Sequence, residues 1–204
     1  NEEQIATVGQ WLKGPNIEFF EAMKQEFGEL PIIAEDLGEI TEEVIILRDA
    51  LELPGMNILQ FAWSDPKNPF LPHNHAQNSI VYTGTHDNNT TYGWWYGETD
   101  DHIRNFVADY MGEPMNDDNP HWTFIRMGMR SSAHTFIAPM QDILGYGEDT
   151  RMNTPGKQGG NWQWRFEEEK FDDSGKDFLA HLTWLYRRRA DQQENVYGDA
   201  AKRD

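Results

Sequence analysis

Four short apolar runs, each leading into a burst of polar residues, alternate along this chain with segments whose apolar positions fall at helical spacing. The runs are Pro31-Ile32-Ile33-Ala34, Asn57-Ile58-Leu59-Gln60-Phe61-Ala62-Trp63, Ser79-Ile80-Val81-Tyr82-Thr83 and Thr135-Phe136-Ile137-Ala138-Pro139-Met140. Around them, apolar residues recur with a period near 3.6 at Ile17, Phe20, Met23 and Phe27, at Val44, Leu47 and Leu51, at Ile103, Phe106, Val107 and Tyr110, and again from Trp122 to Met129. Phe178, Leu182 and Leu185 mark a last helix. Strands without polar alternation are buried on both faces, and helices between them are the crossovers that parallel strands require. The pattern predicts an α/β fold with a parallel sheet of βα units.

The punctuation agrees with that reading. Gly28 stands where a left-handed residue closes the first helix, Thr41 precedes Glu42 and Glu43 as an N-cap with first-turn acids, and Pro54-Gly55 stops the second helix. Val44, Leu47 and Leu51 form the expected buried face of that helix. In parallel sheets the chemistry gathers in the loops after the strand C-terminal ends. Glu35-Asp36 follows the first run, Asp65 the second and Thr85-His86-Asp87-Asn88-Asn89-Thr90 the third. A closed (β/α)8 barrel needs eight strands, so four predict half of one.

Composition removes several functions. The 204 residues carry 17 basic and 35 acidic side chains, a formal charge of −18. That field repels phosphate backbones and anionic lipid heads, so neither nucleic acid nor a membrane surface is an expected partner. The dense basic run, Arg187-Arg188-Arg189, lies beside Asp191 after a helical stripe and reads as a solvated helix C-terminus. With no cysteine, disulfides, a thiol nucleophile and thiolate metal sites are excluded. The first 30 residues hold no continuous apolar stretch, and no run approaches the ~18 residues of a membrane span. The expectation is a soluble intracellular protein. Asn1 in place of an initiator Met suggests a processed chain or part of a longer one.

The aromatic content is the positive signal: 8 Trp, 7 Tyr and 11 Phe, many of them beside Gly, Asn, Asp and His. Flat rings next to hydrogen-bonding groups suit neutral sugars, whose pyranose faces are apolar and whose edges are hydroxyls. Core filling is the competing use of the same rings.

Positions sharpen this. A carboxyl at the mouth of a sheet, partly desolvated beside another acid, holds its proton as a general acid at neutral pH must, which suits Glu35. The alternative is a strand-end acid that caps the next helix. Strand alternation sends Asp36 the other way, so one of the pair points inward and the other is lateral, ligand-binding or structural. Six polar side chains at 85–90 are costly unless a ligand or a network satisfies them. Asp87 and His86 are sugar-contact candidates. A metal reading would join them to His73 and His75, but no spaced ligand motif supports it, and a surface turn is the third alternative. The stretch Met152 to Trp162 lacks the ending of a phosphate loop and reads as a substrate-facing loop with Asn153 as a polar contact. Phe61 and Trp63 share a face if their run is a strand; core packing is the default for both, and Phe61 as a ring platform is the sharper reading.

Five motifs, in order, carry a family likeness: Ile32-Ile33-Ala34-Glu35-Asp36-Leu37-Gly38; Pro54-Gly55-Met56 with Leu59-Gln60-Phe61-Ala62; Val81-Tyr82-Thr83-Gly84-Thr85-His86-Asp87-Asn88-Asn89-Thr90-Thr91; Arg151-Met152-Asn153-Thr154-Pro155-Gly156; and Gly160-Asn161-Trp162. From about Gly9 to the final helix the chain resembles the amylomaltases, 4-α-glucanotransferases also called disproportionating enzymes and related to the α-amylases. The resemblance implies a TIM-type barrel and a cofactor-free, metal-free enzyme that moves α-1,4-glucan segments between maltooligosaccharides or starch-type glucans. It places the enzyme in the cytoplasm, or in the plastid stroma of a plant or alga, and says nothing of oligomeric state. By resemblance, Glu35 is the general acid/base and Asp87 the carboxylate stabilising the transition state. His86 and Asn153 contact the sugar at the cleavage point, Phe61 and Asp65 meet the acceptor, and Asp36 is another site acid.

One departure matters. The family's covalent nucleophile is an Asp at the end of the preceding strand, in an Arg-containing motif that is missing upstream of Glu35. Residues 1–204 are therefore expected to be the C-terminal portion of the catalytic barrel, without its N-terminal half and nucleophile strand, and inactive alone. The alternatives are an α-amylase-like hydrolase, a non-catalytic glucan-binding module and, more distantly, a metal-dependent phosphodiesterase.

Overall fold

The computed structural model describes residues 12–29, 31–115 and 118–189. Residues 1–11, where the sequence shows no strand ending in Asp, lie outside the described residues, as do Gly9 and Asp191. The chain divides into two compact units, residues 1–55 and 56–204.

In the first unit, α1 (Ile17–Phe27) starts at Asn16, whose side chain accepts from the Ile17 N–H, and ends at Gly28 with φ 77°. Helix α2 (Glu42–Ala50) has Glu42 and Glu43 in its first turn and Arg48 in its last, charges that complement the helix dipole. Neither helix holds a buried residue. The expected buried stripe of α2 is thus corrected: Val44 is 38% exposed, and of its three positions only Leu51, just past the helix, is buried.

The run Pro31–Ala34 is not a strand. A main-chain bond from the Ala34 N–H to the Pro54 carbonyl (3.0 Å) does not make a ladder. The expected four strands are therefore three among the described residues. Alternation survives the correction: Ile32, Ala34 and Asp36 are half-buried, while Ile33 and Glu35 are exposed.

The sheet has the order β1 (Gly55–Ile58), β2 (Ser79–Tyr82), β3 (Thr135–Ile137). Strands β2 and β3 are parallel, with Val81 opposite Phe136. The second apolar run leaves the sheet early, because Leu59–Phe61 winds into a 3-10 turn. Phe61 and Trp63 therefore share no strand face: Trp63 is 2% exposed and Phe61 45%.

Among the described residues five α-helices complete the second unit: α3 (Thr91–Gly97), α4 (Asp101–Met111), α5 (Pro120–Arg130), α6 (Met140–Ile143) and α7 (Asp173–Leu185). The core joins Leu59, Trp63 and Val81 to Trp94, Trp95, Val107 and Phe124. Trp63 takes the edges or faces of Phe106, Tyr110 and Phe124 at 5.6–6.0 Å between ring centres, T-shaped geometries favoured by the ring quadrupoles. A Cβ on Gly128 would strike the Phe136 ring, so this glycine lets α5 lie close against β3. A second cluster packs Leu182 of α7 on Ile125 and Met129 of α5.

The arginine run after α7 is not simply solvated, contrary to expectation. Arg188 donates to the carbonyls of Met129, Ser131, Ala133 and His134 at 2.6–2.9 Å. The last carbonyls of a helix lack intrahelical partners, and a guanidinium presents several donors in a fixed fork. Arg188 closes the end of α5 and the turn into β3. No helix among the described residues is long and apolar enough to cross a membrane.

Candidate functional site

Between β2 and α3 the chain places the six polar residues 85–90, and four of them are consumed by the fold. Asn88 Oδ1 accepts from the Thr85 N–H (2.8 Å) and hydroxyl (2.9 Å). Asn89 donates to Glu98 Oε1 at 2.8 Å, and its carbonyl accepts from Gln60 Nε2 at 2.9 Å. Thr90 Oγ1 caps α3 by accepting from the Gly93 N–H at 3.0 Å. His86 and Asp87 remain, both about half exposed, with His86 Nε2 3.4 Å from Asp87 Oδ1.

A second loop meets this pair. Asn153 Nδ2 donates to Asp87 Oδ1 at 2.5 Å, and the Asn153 N–H donates to the His86 carbonyl at 3.1 Å. Arg151 donates through Nη2 to the Asp87 carbonyl (2.7 Å) and through Nε to the Asn153 carbonyl (2.9 Å). Its Nη1 lies 3.7 Å from Glu98 Oε1, which also holds Asn89. One guanidinium thus ties together two loops that are 64 residues apart.

Beneath the first loop sits Asp142 of α6, 1% exposed. Its carboxylate accepts from the Thr83 hydroxyl (2.5 Å), the Thr91 N–H (2.6 Å) and the Thr91 hydroxyl (2.8 Å), clamping both ends of the loop. Burial pushes the Asp142 carboxyl above the usual carboxylate range, against the pull of those three donors. Asp142 and Glu98 lie outside the sequence motifs, and Gln60 stands inside one without an assigned role. Arg151 stood inside a quoted motif without a role, and its position two residues before Asn153 was the available signal.

Phe61 stands beside Gln60, whose amide grips the Asn89 carbonyl, so its turn is tied to the Asp87 loop. Its ring packs on Phe70 at 5.9 Å. Asp65 is exposed, and its Oδ1 accepts from the Lys67 N–H at 2.7 Å. The structure therefore brings His86, Asp87 and Asn153 into direct contact, links Phe61 to them through its neighbour, and uses the Asp65 carboxylate in a turn.

Glu35 and Asp36 belong to the first unit. Glu35 is exposed. Asp36 is the inward member of the pair, its Oδ2 taking Arg48 Nη1 at 2.5 Å. A Cβ on Gly55 would collide with this ion pair. His73 stacks on Tyr110 with 5.7 Å between ring centres, and His75 Nε2 meets the Phe70 carbonyl at 2.8 Å. Both therefore do packing work, and among the described residues no group of three His, Asp or Glu could hold a metal.

A cavity of about 730 Å³ lies elsewhere in the second unit, lined by His121, Trp122, Phe171 and Phe178 among others; none of the site residues expected from sequence lines it.

A short parallel sheet, a polar loop at the end of its middle strand and a half-exposed carboxylate of that loop held by a second loop define an α/β protein with its polar cluster at a strand end. Residues 1–170 match the family model described as 4-alpha-glucanotransferase. The 4-alpha-glucanotransferase of Synechocystis is 47% identical over 190 residues, which is 92% of this chain and 37% of the relative. The chloroplastic/amyloplastic 4-alpha-glucanotransferase of Solanum tuberosum is 49% identical over 166 residues, 81% of this chain and 28% of the relative. Among solved structures, the amylomaltase from Streptococcus agalactiae in complex with acarbose is similar with a TM-score of 0.81 and 36% identity, covering 88% of this chain and 36% of that one. The chain belongs to the 4-alpha-glucanotransferase family. It spans about a third of the length of these relatives.

Proposed function

We propose that this chain carries the acid/base and charge-stabilising part of a retaining α-1,4-glucan transfer site, within an arc of a (β/α)8 barrel. On this reading Glu35 is the general acid/base and Asp87 stabilises the transition state through sugar hydroxyls. His86 and Asn153 contact the sugar at the cleavage point, Phe61 and Asp65 serve the acceptor, and Asp36, engaged by Arg48, supports the site as a further acid. The observation that carries the reading is the presentation of Asp87: its loop satisfies its neighbours internally and leaves this carboxylate outward, oriented by Asn153 at 2.5 Å. Such a preorganised charge favours a cationic sugar without reorganising during the reaction. The acarbose complex of the amylomaltase neighbour supports an α-glucan ligand.

The chemistry follows the retaining template. Glu35 gives its proton to the leaving glycosidic oxygen while a nucleophilic carboxylate bonds to the anomeric carbon. An acceptor hydroxyl then attacks that carbon, loses its proton to Glu35 and releases the nucleophile. No residue of this chain is assigned the nucleophile, so the chain alone does not turn over, and transfer needs a protein that also supplies that group. The soluble compartment expected from sequence, cytoplasm or plastid stroma, suits such glucans.

The test is glucose release from maltotriose. A full-length glucanotransferase carrying this chain in place of its own segment should disproportionate maltotriose, and Glu35→Gln or Asp87→Asn should each lower turnover at least ~100-fold. Comparable turnover by this chain alone, or near-normal turnover by Glu35→Gln, would overturn the reading. New reducing ends without longer products would indicate a hydrolase.

A further inference from the structure

Trp162 combines three features that packing does not require. Its backbone takes φ 62°, a left-handed conformation rare for a residue with a Cβ, and disfavoured strongly for a bulky one. Its side chain belongs to a residue 53% exposed. Its indole lies 5.0 Å from the His86 ring, tilted by 40°. When this chain needs indole for its core it buries it, as Trp63, Trp94 and Trp95 show at 6% exposure or less.

The strained conformation is held from both sides. The Trp162 N–H donates to the Met152 carbonyl at 2.7 Å, and its own carbonyl accepts from Arg165 Nη1 at 2.9 Å. Before it, Asn161 ties the loop to itself, accepting from the Thr154 N–H and donating to the Lys157 carbonyl. Gly159 and Gly160, both at positive φ, leave open space where side chains would otherwise stand. The loop thus holds an indole half in solvent beside His86.

From this geometry we infer that Trp162 is a stacking platform for a pyranose ring next to the His86–Asp87 pair. An indole face offers a broad apolar surface to the axial C–H groups of a sugar, and it leaves the hydroxyl edges to Asp87 and Asn153. The inference rests on the glucan reading of that site and adds a binding residue to it.

The experiment is an acarbose titration of this chain followed by 15N NMR. The Trp162 indole N–H, identified with Trp162→Phe, should shift together with the His86, Asp87 and Asn153 amides while the indoles of Trp63, Trp94 and Trp95 stay put. Trp162→Ala should weaken acarbose about tenfold, Trp162→Phe about threefold or less, and Trp184→Ala not at all. Shifts at His86, Asp87 and Asn153 with the Trp162 indole unmoved, or equal affinity in Trp162→Ala, would overturn the platform and leave the glucan site standing. The absence of any shift would overturn the glucan reading for this chain, and the platform with it.

Discussion

Thr83 and Asp142, 59 residues apart in sequence, meet at 2.5 Å beneath the loop that presents Asp87. The same carboxylate takes both donors of Thr91, so one buried acid fixes the two ends of the span from Thr83 to Thr91. Removing it leaves two hydroxyls and an amide buried without partners. Asp142→Ala should cost about 3 kcal/mol in urea unfolding. Amides between Gly84 and Thr90 should exchange faster in that variant than in Asp142→Asn, which keeps an acceptor oxygen.

Arg151 holds the same loop from the other side, through main-chain carbonyls. It bonds the carbonyls of Asp87 and Asn153 and approaches Glu98. Arg151→Met should loosen the joint between the two loops, raising exchange at the Asn153 amide by about tenfold. Arg151→Lys should recover little, because one ammonium cannot reproduce a planar fork bonded in several directions. Unchanged exchange in both variants would show that the loops hold each other without it.

Arg188 gives a stability prediction far from the site. Its four carbonyl partners belong to the end of α5 and the turn into β3. Arg188→Ala should lower stability by about 2 kcal/mol, and Arg187→Ala or Arg189→Ala, both on exposed residues, by less, measured by thermal unfolding.

His121 links stability to pH. Burial lowers its pKa from 6.5 to about 4, and its Nδ1 has no hydrogen-bond partner. The unfolded chain therefore takes up a proton at His121 near pH 6.5 that the folded chain refuses until about 4. Stability from this group is full above 6.5 and is lost as pH falls toward 4, by about 3 kcal/mol in all. Asp142, with a raised pKa, has the opposite slope, losing stability as pH climbs past 3.8. The difference between the chain and His121→Gln, measured by urea unfolding from pH 4 to 7, isolates the histidine and should grow with pH.

Periodicity located the helices because their apolar positions are local facts: Ile103, Phe106, Val107 and Tyr110 fall on α4, and Phe178 and Leu182 on α7. It misread Pro31–Ala34 and the end of the second run, since apolarity marks burial or extension but not which partner supplies a ladder. Phe61 and Trp63 are separated by a 3-10 turn, and the Gln60 amide within it bonds Asn89, 29 residues away. The arginine run was misread for the same reason, as Arg188's acceptors are 54 to 59 residues distant.

Residue identity alone determined that this chain is acidic, free of cysteine and built from alternating apolar runs and amphipathic helices, and its motifs alone pointed to His86, Asp87 and Asn153. Only tertiary structure decided that four side chains of the 85–90 loop are spent on the fold while Asp87 faces out, that Asn153 and Arg151 reach it, and that Trp162 is held half exposed beside His86. Hydrophobic pattern is written in neighbouring residues; hydrogen-bond satisfaction is settled by groups that folding brings from far along the chain.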